Sequence, residues 1–402
     1  MSNNSVRCIL QDHKGFMWFG TYDGLNRYDG YSFRVFRNKI NDSASLINPF
    51  VNALNEDKKG YLWIGTRRGL SIYNSLTDKF THLSHKQNGK LNIVSDVIKA
   101  IGTDSRNNVF VGAENIGLLF CKNGNHVAEP ISLKNGDTSI TSFGVQLIKT
   151  GQGNNVWVFV QNKGLCLLDY ATMTLRLVNA TVQSASSLAI DGNDIWIGTS
   201  QGLYQYNTSS RTCTRAQNIH FSAERILSLS LDKDHNLWIG TIGEGIAIWN
   251  RSSGKVEYLK AGDSKYSLLS GDVYAIYADR ESRNWIGTLK GGVNIIDPQK
   301  KRFQIIAHDP GIAGGFSGNF VSAFYESPDS ILWIGTDDAG VNKWDRKKNS
   351  FTNLRHRPGD NKSLPSNAVT AVKGDAFNNL WIATFTSGLL RLQPERNISK
   401  RY

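Results

Sequence analysis

Two adjacent arginines, Arg67 and Arg68, lie between glycines in the sequence GTRRGL (65–70). A guanidinium group can form two parallel hydrogen bonds to a carboxylate or a sulfate, so this pair could recognise an acidic ligand. The same stretch could instead be one copy of a structural element whose glycines serve the backbone. The chemistry of the arginines therefore depends on how often the stretch occurs and on what positions it.

The stretch recurs through nearly the whole chain. Nine segments resemble LWIGTRRGL (62–70), and their aromatic anchors are Trp18, Trp63, Phe110, Trp157, Trp196, Trp238, Trp285, Trp333 and Trp381. Successive anchors are between 39 residues (157 to 196) and 48 residues (285 to 333) apart, a period that indicates a repeat architecture. The residues between the threonine position and the second glycine of each loop differ from repeat to repeat. We therefore interpret the glycines as required by the backbone conformation rather than as part of a phosphate-binding loop.

Each repeat contains four short segments of alternating hydrophobicity separated by polar turns, as in VNALNED, LWIGT, LSIYN and KFTHL of the second repeat. This pattern predicts antiparallel strands, and no helix-length apolar stripe interrupts it. Four short strands per repeat describe one blade of a β-propeller. We therefore predict an all-β fold, a β-propeller of four-stranded antiparallel blades, in which the aromatic anchors fill the space between successive blades.

The LWIGT..GL..Y units and the opening segment SNNSVRCILQDHKGFMWFGTYDGLNRYDGY resemble the two-component regulator propeller repeats of hybrid two-component sensors from glycan-degrading Bacteroidetes. The resemblance covers residues 2 to 394, with degenerate units at Phe110 and Trp157. It implies a periplasmic sensor region made of two consecutive seven-bladed propellers. In the full-length protein, it implies an immunoglobulin-like domain, a transmembrane helix, a histidine kinase and response-regulator modules beyond that region, and a homodimer as one arrangement.

Counting repeats gives the expected domains. Seven repeats end at residue 309, and the glycine-rich segment PGIAGGFSGN (310–319) follows. We predict a seven-bladed propeller over residues 1–309, closed by RFQII (302–306) as the outer strand of its last blade, a linker over 310–319, and two blades of a second, incomplete propeller over 320–402. Two blades leave strand edges unprotected, so we expect a piece of a longer protein. A single ring of eight or nine blades is the alternative.

The loop after the tryptophan strand and the segment leading into the first strand of each blade should lie at one end of the ring, where binding residues concentrate. The predicted ligand-binding residues at this end are Tyr22, Asp23, Arg67, Arg68, Glu114, Lys163, Arg225, Glu244, Asp272 and Lys290, with Asp96 and Gln201 nearby. Cationic, acidic and aromatic side chains together suit the hydroxyl and acidic groups of an oligosaccharide. The alternative for each residue is a solvated turn position.

Composition argues against several other classes of protein. Lys and Arg exceed Asp and Glu by 46 − 34 = 12, but the charge is scattered, so we expect no nucleic-acid partner. The four cysteines Cys8, Cys121, Cys166 and Cys213 form no C-x-x-C pair, and the histidines lack ligand spacing, so we expect no metal or other cofactor and propose no disulfide. No apolar run of membrane length and no N-terminal export signal occurs, so we expect no membrane contact by this chain.

These observations favour a ligand-binding sensor region that recognises an oligosaccharide, with an acidic one suited to the arginines, and that relays a signal to a histidine kinase outside this chain. The chain itself is then not an enzyme. The alternatives are a propeller-fold glycosidase or lyase, with catalytic side chains at the mouth of the central channel, and a protein-interaction scaffold. No G-x-S-x-G turn or carboxylate pair stands out, so we predict no catalytic residue.

Overall fold

The computed structural model describes residues 1–87, 90–216, 225–262, 267–297, 306–308, 311, 314–394 and 398–402. These residues form β-strands, turns and two short 3-10 turns, Lys122–Gly124 and Gln152–Asn154, without an α-helix among them. The predicted all-β fold is confirmed. In the described part of the chain, no helix has the length and apolar character needed to cross a membrane. The chain divides into two compact units, Met1–Pro298 and Gln299–Tyr402.

The described part of the first unit contains seven groups of successive strands, here called blades 1 to 7, and within each blade every strand is antiparallel to the one before it. Blade 1 consists of β1 (Val6–Gln11), β2 (Met17–Thr21), β3 (Gly24–Tyr28) and β4 (Phe33–Phe36). Blade 2 consists of β5 (Val51–Glu56), β6 (Tyr61–Thr66), β7 (Gly69–Asn74) and β8 (Lys79–His82). A hairpin of β9 (Ser84–Gln87) and β10 (Lys90–Ile93) follows.

Blade 3 consists of β11 (Ile98–Thr103), β12 (Val109–Ala113), β13 (Leu118–Cys121) and β14 (Val127–Asn135), and β15 (Thr138–Ile140) is paired with β14. Blade 4 consists of β16 (Val145–Thr150), β17 (Val156–Val160), β18 (Gly164–Asp169) and β19 (Thr174–Asn179). Blade 5 consists of β20 (Ser187–Asp191), β21 (Asp194–Thr199), β22 (Gly202–Asn207) and β23 (Cys213–Arg215). Blade 6 consists of β24 (Ile226–Leu231), β25 (Leu237–Thr241), β26 (Ile246–Trp249) and β27 (Val256–Leu259).

Blade 7 shows three strands among the described residues, β28 (Val273–Ala278), β29 (Asn284–Thr288) and β30 (Val293–Ile296). Residues 302–305 of its predicted outer strand lie outside the described residues, as do residues 310, 312 and 313 of the predicted linker. The predicted domain limits therefore stay a prediction.

The first strands of the seven blades surround a common axis. They contact one another in the order β1, β5, β11, β16, β20, β24 and β28, and β28 contacts β1 again. At this closure, Trp285 of blade 7 packs with Val6 and Phe19 of blade 1. The backbone N–H of Gly292 donates to the carbonyl of Asn4 at 2.8 Å. Side-chain packing and main-chain hydrogen bonding thus join the last blade to the first.

The outer strand of blade 3 pairs with the hairpin that follows blade 2 and with the outer strand of blade 4. Strand β14 runs parallel to β9, with Val127 opposite Ser84, and parallel to β19, with Leu133 opposite Leu175. Its edge groups are thereby paired rather than left open, which protects the strand from pairing with another chain. Blades 3 and 4 form one continuous sheet as a result.

The tryptophan anchors pack as predicted. Trp63 of blade 2 is fully buried and contacts Ile101 and Val109 of blade 3. Its indole Nε1 donates to Asp57 Oδ2 at 3.0 Å, six residues earlier, in the turn between β5 and β6. The other oxygen of Asp57 accepts two backbone N–H groups of that turn, at 2.9 and 3.0 Å. The anchor is therefore held by its own turn while its ring fills the interblade space.

The glycines of the repeat have two different structural roles. A Cβ at Gly65 would lie 2.7 Å from Ile98 Cγ2 of the next blade, so this position must be bare for the blades to approach. Gly69 has φ near +90°, a conformation that suits glycine. Thr66 joins the two, because its hydroxyl donates to the Gly69 carbonyl at 2.7 Å. The motif that led to the repeat is thus structural at Gly65, Thr66 and Gly69.

The second unit contains two four-stranded blades. Blade 8 consists of β31 (Val321–Glu326), β32 (Ile331–Thr336), β33 (Val341–Asp345) and β34 (Ser350–Leu354). Blade 9 consists of β35 (Val369–Gly374), β36 (Leu380–Thr384), β37 (Gly388–Gln393) and β38 (Ile398–Arg401). Trp333 packs between them against Val369 and Val372, which repeats the arrangement of the first unit.

The four cysteines are free thiols. Cys121 and Cys166 are buried, whereas Cys8 and Cys213 are partly exposed. Burial raises the pKa of Cys8, Cys121 and Cys166 to about 12. These thiols are therefore protonated at neutral pH and poorly reactive, as expected of packing residues.

Candidate ligand-binding site

Two segments of each blade meet at one end of the first unit, here called the loop end. One is the loop after the tryptophan strand, and the other leads into the first strand. Backbone hydrogen bonds join them, from Arg67 N–H to the Phe50 carbonyl at 3.0 Å and from Leu289 N–H to the Asp272 carbonyl at 3.0 Å. Residues from both segments, and from the start of the first strand, can therefore act on one ligand.

The first strands carry an irregularity close to this end. The pairing of β1 with β2 shifts between Val6 and Cys8, and the same shift occurs in blades 2, 3, 4, 6 and 7. A bulge of this kind turns one side chain out of the regular alternation. The residue at the shift is Arg7 in blade 1 and Tyr274 in blade 7.

Five residues from blades 7, 1 and 2 form an aromatic–guanidinium cluster at the loop end: Arg7, Tyr22, Phe50, Arg67 and Tyr274. Tyr22 stacks on Phe50 with ring centroids 4.5 Å apart and planes inclined by 20°. Arg7 Cζ lies 4.9 Å from the Tyr274 ring and 5.9 Å from the Tyr22 ring. On the other side, Arg67 Cζ lies 4.8 Å from the Phe50 ring. The cluster places two cations beside three aromatic rings.

The Arg7 guanidinium has no carboxylate to neutralise it, since none of the described acidic residues forms an ion pair with it. Its Nε is buried and has no hydrogen-bond partner. Burial, and then the neighbouring Tyr22 hydroxyl, raise the pKa of Tyr274, so the Tyr274 phenol stays neutral near Arg7. The site is therefore cationic and retains unused hydrogen-bonding capacity.

The predicted acidic residues have partners of their own. Asp23 pairs with Arg37 at 3.0 Å, and Glu114 pairs with Lys99 at 3.1 Å. Asp272 Oδ1 accepts the backbone N–H of Gly243 at 2.8 Å and so fixes a loop of blade 6. These contacts stabilise the loop end and leave its cations in excess.

The other predicted residues lie at the loop end outside the cluster. The Arg68 side chain is exposed beside Arg67, and the Lys163 side chain is exposed in blade 4. Arg225 is exposed, and its carbonyl accepts the Ile242 N–H at 3.1 Å. Glu244 is half-buried. Lys290 has a positive φ and donates its backbone N–H to Ser5 Oγ at 3.3 Å.

The structure thus brings Tyr22 and Arg67 together and adds Arg7, Phe50 and Tyr274, which the sequence reasoning missed. A signal for two of them exists in the sequence. The first strands read VRC, VNA, IKA, VQL and VYA at equivalent positions, with an unlike residue between two apolar ones. Such a variable position within a regular strand pattern is where a ligand-contacting residue could have been sought.

No group of three or more His, Cys, Asp or Glu side chains that could hold a metal ion occurs within the described ranges. The segment DKDHN (232–236) is a turn between β24 and β25, where Asp232 accepts the Asn236 N–H at 2.9 Å and the Trp238 indole N–H at 2.9 Å. Asp232 therefore has the same role in blade 6 as Asp57 has in blade 2.

Comparison with known proteins places the repeat in a family. The two component regulator propeller family matches residues 1–23, 45–68, 220–243 and 315–338. Each match covers the same part of a repeat, from the segment before the first strand to the loop that follows the tryptophan strand. A segment of 46 residues is also 48% identical to Histidine kinase P4 of Formosa agariphila, covering 11% of this chain and 3% of that protein.

Two solved structures resemble the whole chain. One is described as the extracellular domain of a hybrid two component system, BT3049, from B. thetaiotaomicron, with a TM-score of 0.65 and 25% identity over 100% of this chain and 53% of that one. The other, the extracellular domain of BT4673 from the same organism, has a TM-score of 0.60 and 21% identity over 100% of this chain and 58% of that one, and supports the fold alone. This chain therefore spans about half the length of these solved domains. Four segments of the chain thus match the two component regulator propeller family, and the fold of the chain is similar to that of the extracellular domains of hybrid two component systems.

Proposed function

We propose that this chain is part of the periplasmic sensor region of a hybrid two-component system and that it binds an acidic oligosaccharide at the aromatic–guanidinium cluster. A histidine kinase outside this chain receives the signal, and the chain itself catalyses no reaction. The observation that carries the proposal is Arg7, a cation with a buried Nε that lacks a hydrogen-bond partner, set between aromatic rings of neighbouring blades.

The chemistry of the cluster suits a sugar that carries a negative charge. Phe50 and Tyr22 form a stacked aromatic pair, which offers apolar surface to the C–H groups of a sugar ring. Arg7 lies 5.9 Å from the Tyr22 ring and Arg67 lies 4.8 Å from the Phe50 ring, and both can donate paired hydrogen bonds to a carboxylate or sulfate. Arg68, exposed in the same loop, extends the cationic surface for a second sugar unit.

The position of the cluster suggests how binding becomes a signal. Its residues come from blades 7, 1 and 2, so a bound ligand bridges the junction at which the ring closes. A ligand that prefers one arrangement of this junction shifts the population towards that arrangement by its difference in affinity. The kinase then responds to the shifted population rather than to the sugar directly.

Calorimetric titration tests the proposal, with disaccharides that contain a uronic acid or a sulfated hexosamine and with maltose and cellobiose as neutral counterparts. We expect the acidic disaccharides to bind more tightly. Arg67→Ala and Arg7→Lys should each weaken that binding about 10- to 100-fold, the value of a hydrogen bond to a charged group. Arg7→Lys keeps the charge and removes only the planar donor fork.

The matched control is Arg106→Ala. Arg106 also lies over an aromatic ring, with Cζ 5.6 Å from Tyr170, but in the turn between β11 and β12 at the opposite end of blade 3. The Arg106→Ala variant therefore loses the same charge and the same type of contact as Arg67→Ala. Equal losses in Arg67→Ala and Arg106→Ala would show a general charge effect and refute the site, and conversion of a disaccharide into products would refute the sensor role.

A further inference from the structure

A second polar crevice lies between the outer parts of blades 4 and 5, at the end of the ring opposite the loop end. Its volume is about 410 Å³, within the range of about 300–1,000 Å³ typical of small-molecule sites. Blade 4 contributes Trp157 and Arg176, and blade 5 contributes Tyr206 and Arg211. We propose that this crevice binds an acidic monosaccharide, independently of whether the loop-end cluster binds a ligand.

Two positions in or next to the crevice carry smaller residues than their equivalents in other blades. Six residues before its tryptophan, blade 4 has Gly151 where blades 1, 2, 6, 7 and 9 have an aspartate. At the outer edge, Tyr206 of blade 5 is opposite Cys213, whereas the equivalent Tyr73 of blade 2 is opposite Phe80. Between blades 1 and 2, Phe80 packs with Tyr73 and Phe36. Between blades 4 and 5, the smaller Cys213 stands in place of that phenylalanine.

The missing aspartate also leaves the indole of Trp157 without the carboxylate that other anchors have. A Cβ at Gly151 would lie 3.6 Å from Trp157 Nε1, so the space beside the indole nitrogen begins at the glycine. Trp157 is 6% exposed and meets Tyr206 edge-on, with ring centroids 6.2 Å apart. The two rings form an aromatic floor, and an indole N–H borders the crevice.

The charges around the crevice favour an anion. Arg176 and Arg211 are exposed at its rim, and no aspartate or glutamate is among the described residues that line it. Neither guanidinium forms an ion pair with a carboxylate in the described part of the chain. The nearby Asp191 faces blade 6 instead, where it contacts Arg251 and His235. Two guanidinium groups thus border a space whose described lining contains no acidic side chain.

The remaining polar groups indicate a sugar scaffold rather than a simple anion. Asn155 and Asn193 lie at the two turns, and Thr208 is fixed beside Asn193 by a hydrogen bond of its hydroxyl to the Asn193 carbonyl at 3.1 Å. Amides and a hydroxyl around an aromatic floor match the alternating hydroxyl groups of a pyranose ring, while the arginines match a carboxylate. A uronic acid combines these features.

The test is an NMR titration with glucuronate, glucose and inorganic sulfate. Binding is monitored by the indole N–H resonance of Trp157, which is assigned from the Trp157→Phe variant. We expect glucuronate to shift this resonance and to bind at least about tenfold more tightly than glucose or sulfate. The double variant Arg176→Ala/Arg211→Ala, which changes exposed side chains only, should abolish the preference for glucuronate over glucose.

Two variants at Gly151 provide a matched pair. Its φ of −108° admits a side chain, and a Cβ there would make an ordinary contact with Ile190 Cδ1 at 3.4 Å. Gly151→Asp restores the carboxylate of the other blades and should reduce glucuronate affinity at least about tenfold, whereas the neutral Gly151→Asn should reduce it less. An unmoved Trp157 resonance, or equal affinity for sulfate, glucose and glucuronate, would overturn the proposal.

Discussion

The hydrogen bond between Asp57 and Trp63 should be one of the strongest single side-chain contacts in the first unit. Asp57 is 4% exposed and Trp63 is 0% exposed, so water cannot replace either partner without a local opening. Replacing Asp57 by Asn keeps the shape of the side chain and the acceptor for the turn, but it substitutes an NH₂ group for the oxygen that faces the indole. A buried indole N–H then lacks an acceptor.

The cost can be worked out from these contacts. A buried hydrogen bond to a charged group contributes about 1.5–3 kcal/mol to the free energy of unfolding. Asp57→Ala removes in addition the acceptor of two turn N–H groups, at 2.9 and 3.0 Å, and should cost about 3–5 kcal/mol in all. Trp63→Phe loses the donor as well as ring volume, so it is destabilising for a second reason.

A double-mutant cycle of Asp57→Asn and Trp63→Phe separates the hydrogen bond from these other effects. Urea unfolding followed by circular dichroism should give a coupling free energy of about 1.5–3 kcal/mol. The control cycle pairs Trp63→Phe with Asp104→Asn, because Asp104 holds the same turn of blade 3 but binds the Tyr170 hydroxyl at 2.9 Å. A coupling in the first cycle as small as that in the control would refute this account of the repeat.

Two further predictions concern ring closure and pH. Gly287→Ala should lower the free energy of unfolding by about 1–3 kcal/mol in urea unfolding, because its Cβ would lie 2.8 Å from Val6 Cγ1, and Val6→Ala should cost less in that background than in the wild type. Burial alone would raise the pKa of Asp279, but hydrogen bonds from Trp285 and Arg283 lower it below its ordinary value. This stabilisation is present above the unfolded pKa of about 3.9 and is lost as pH falls through the folded pKa, so Asp279→Asn should flatten the fall of the unfolding free energy below about pH 4. An unchanged acid profile would contradict the role given to Asp279.

The sequence predicted the parts of the fold that every repeat shares. Trp63, Gly65 and Gly69 recur because each repeat must hold an anchor, approach the next blade and turn sharply, so their spacing reveals the architecture. Among the described strands, parallel pairing is found only for β14 with β9 and β19, and it depends on neighbours brought together by the ring. No period in the sequence could reveal it.

The candidate site was only partly predictable for a similar physical reason. Arg67 and Tyr22 lie in loops, where sequence reasoning looks for ligand contacts. Arg7 lies inside a strand, and it reaches the site because the pairing shifts by one residue beside it. A shift of register depends on how the strand meets its neighbours, so Arg7 and Tyr274 could be assigned to the cluster only from the structure.

The parallel pairing at the circumference stiffens one arc of the ring. Main-chain hydrogen bonds of β14 join blade 3 to blade 4 and to the hairpin that follows blade 2. We therefore expect local opening to require less free energy outside this arc. The residues of the aromatic–guanidinium cluster come from blades 7, 1 and 2, which lie outside the arc or at its edge. A movement caused by a ligand should therefore occur mainly at the junction between blades 7 and 1.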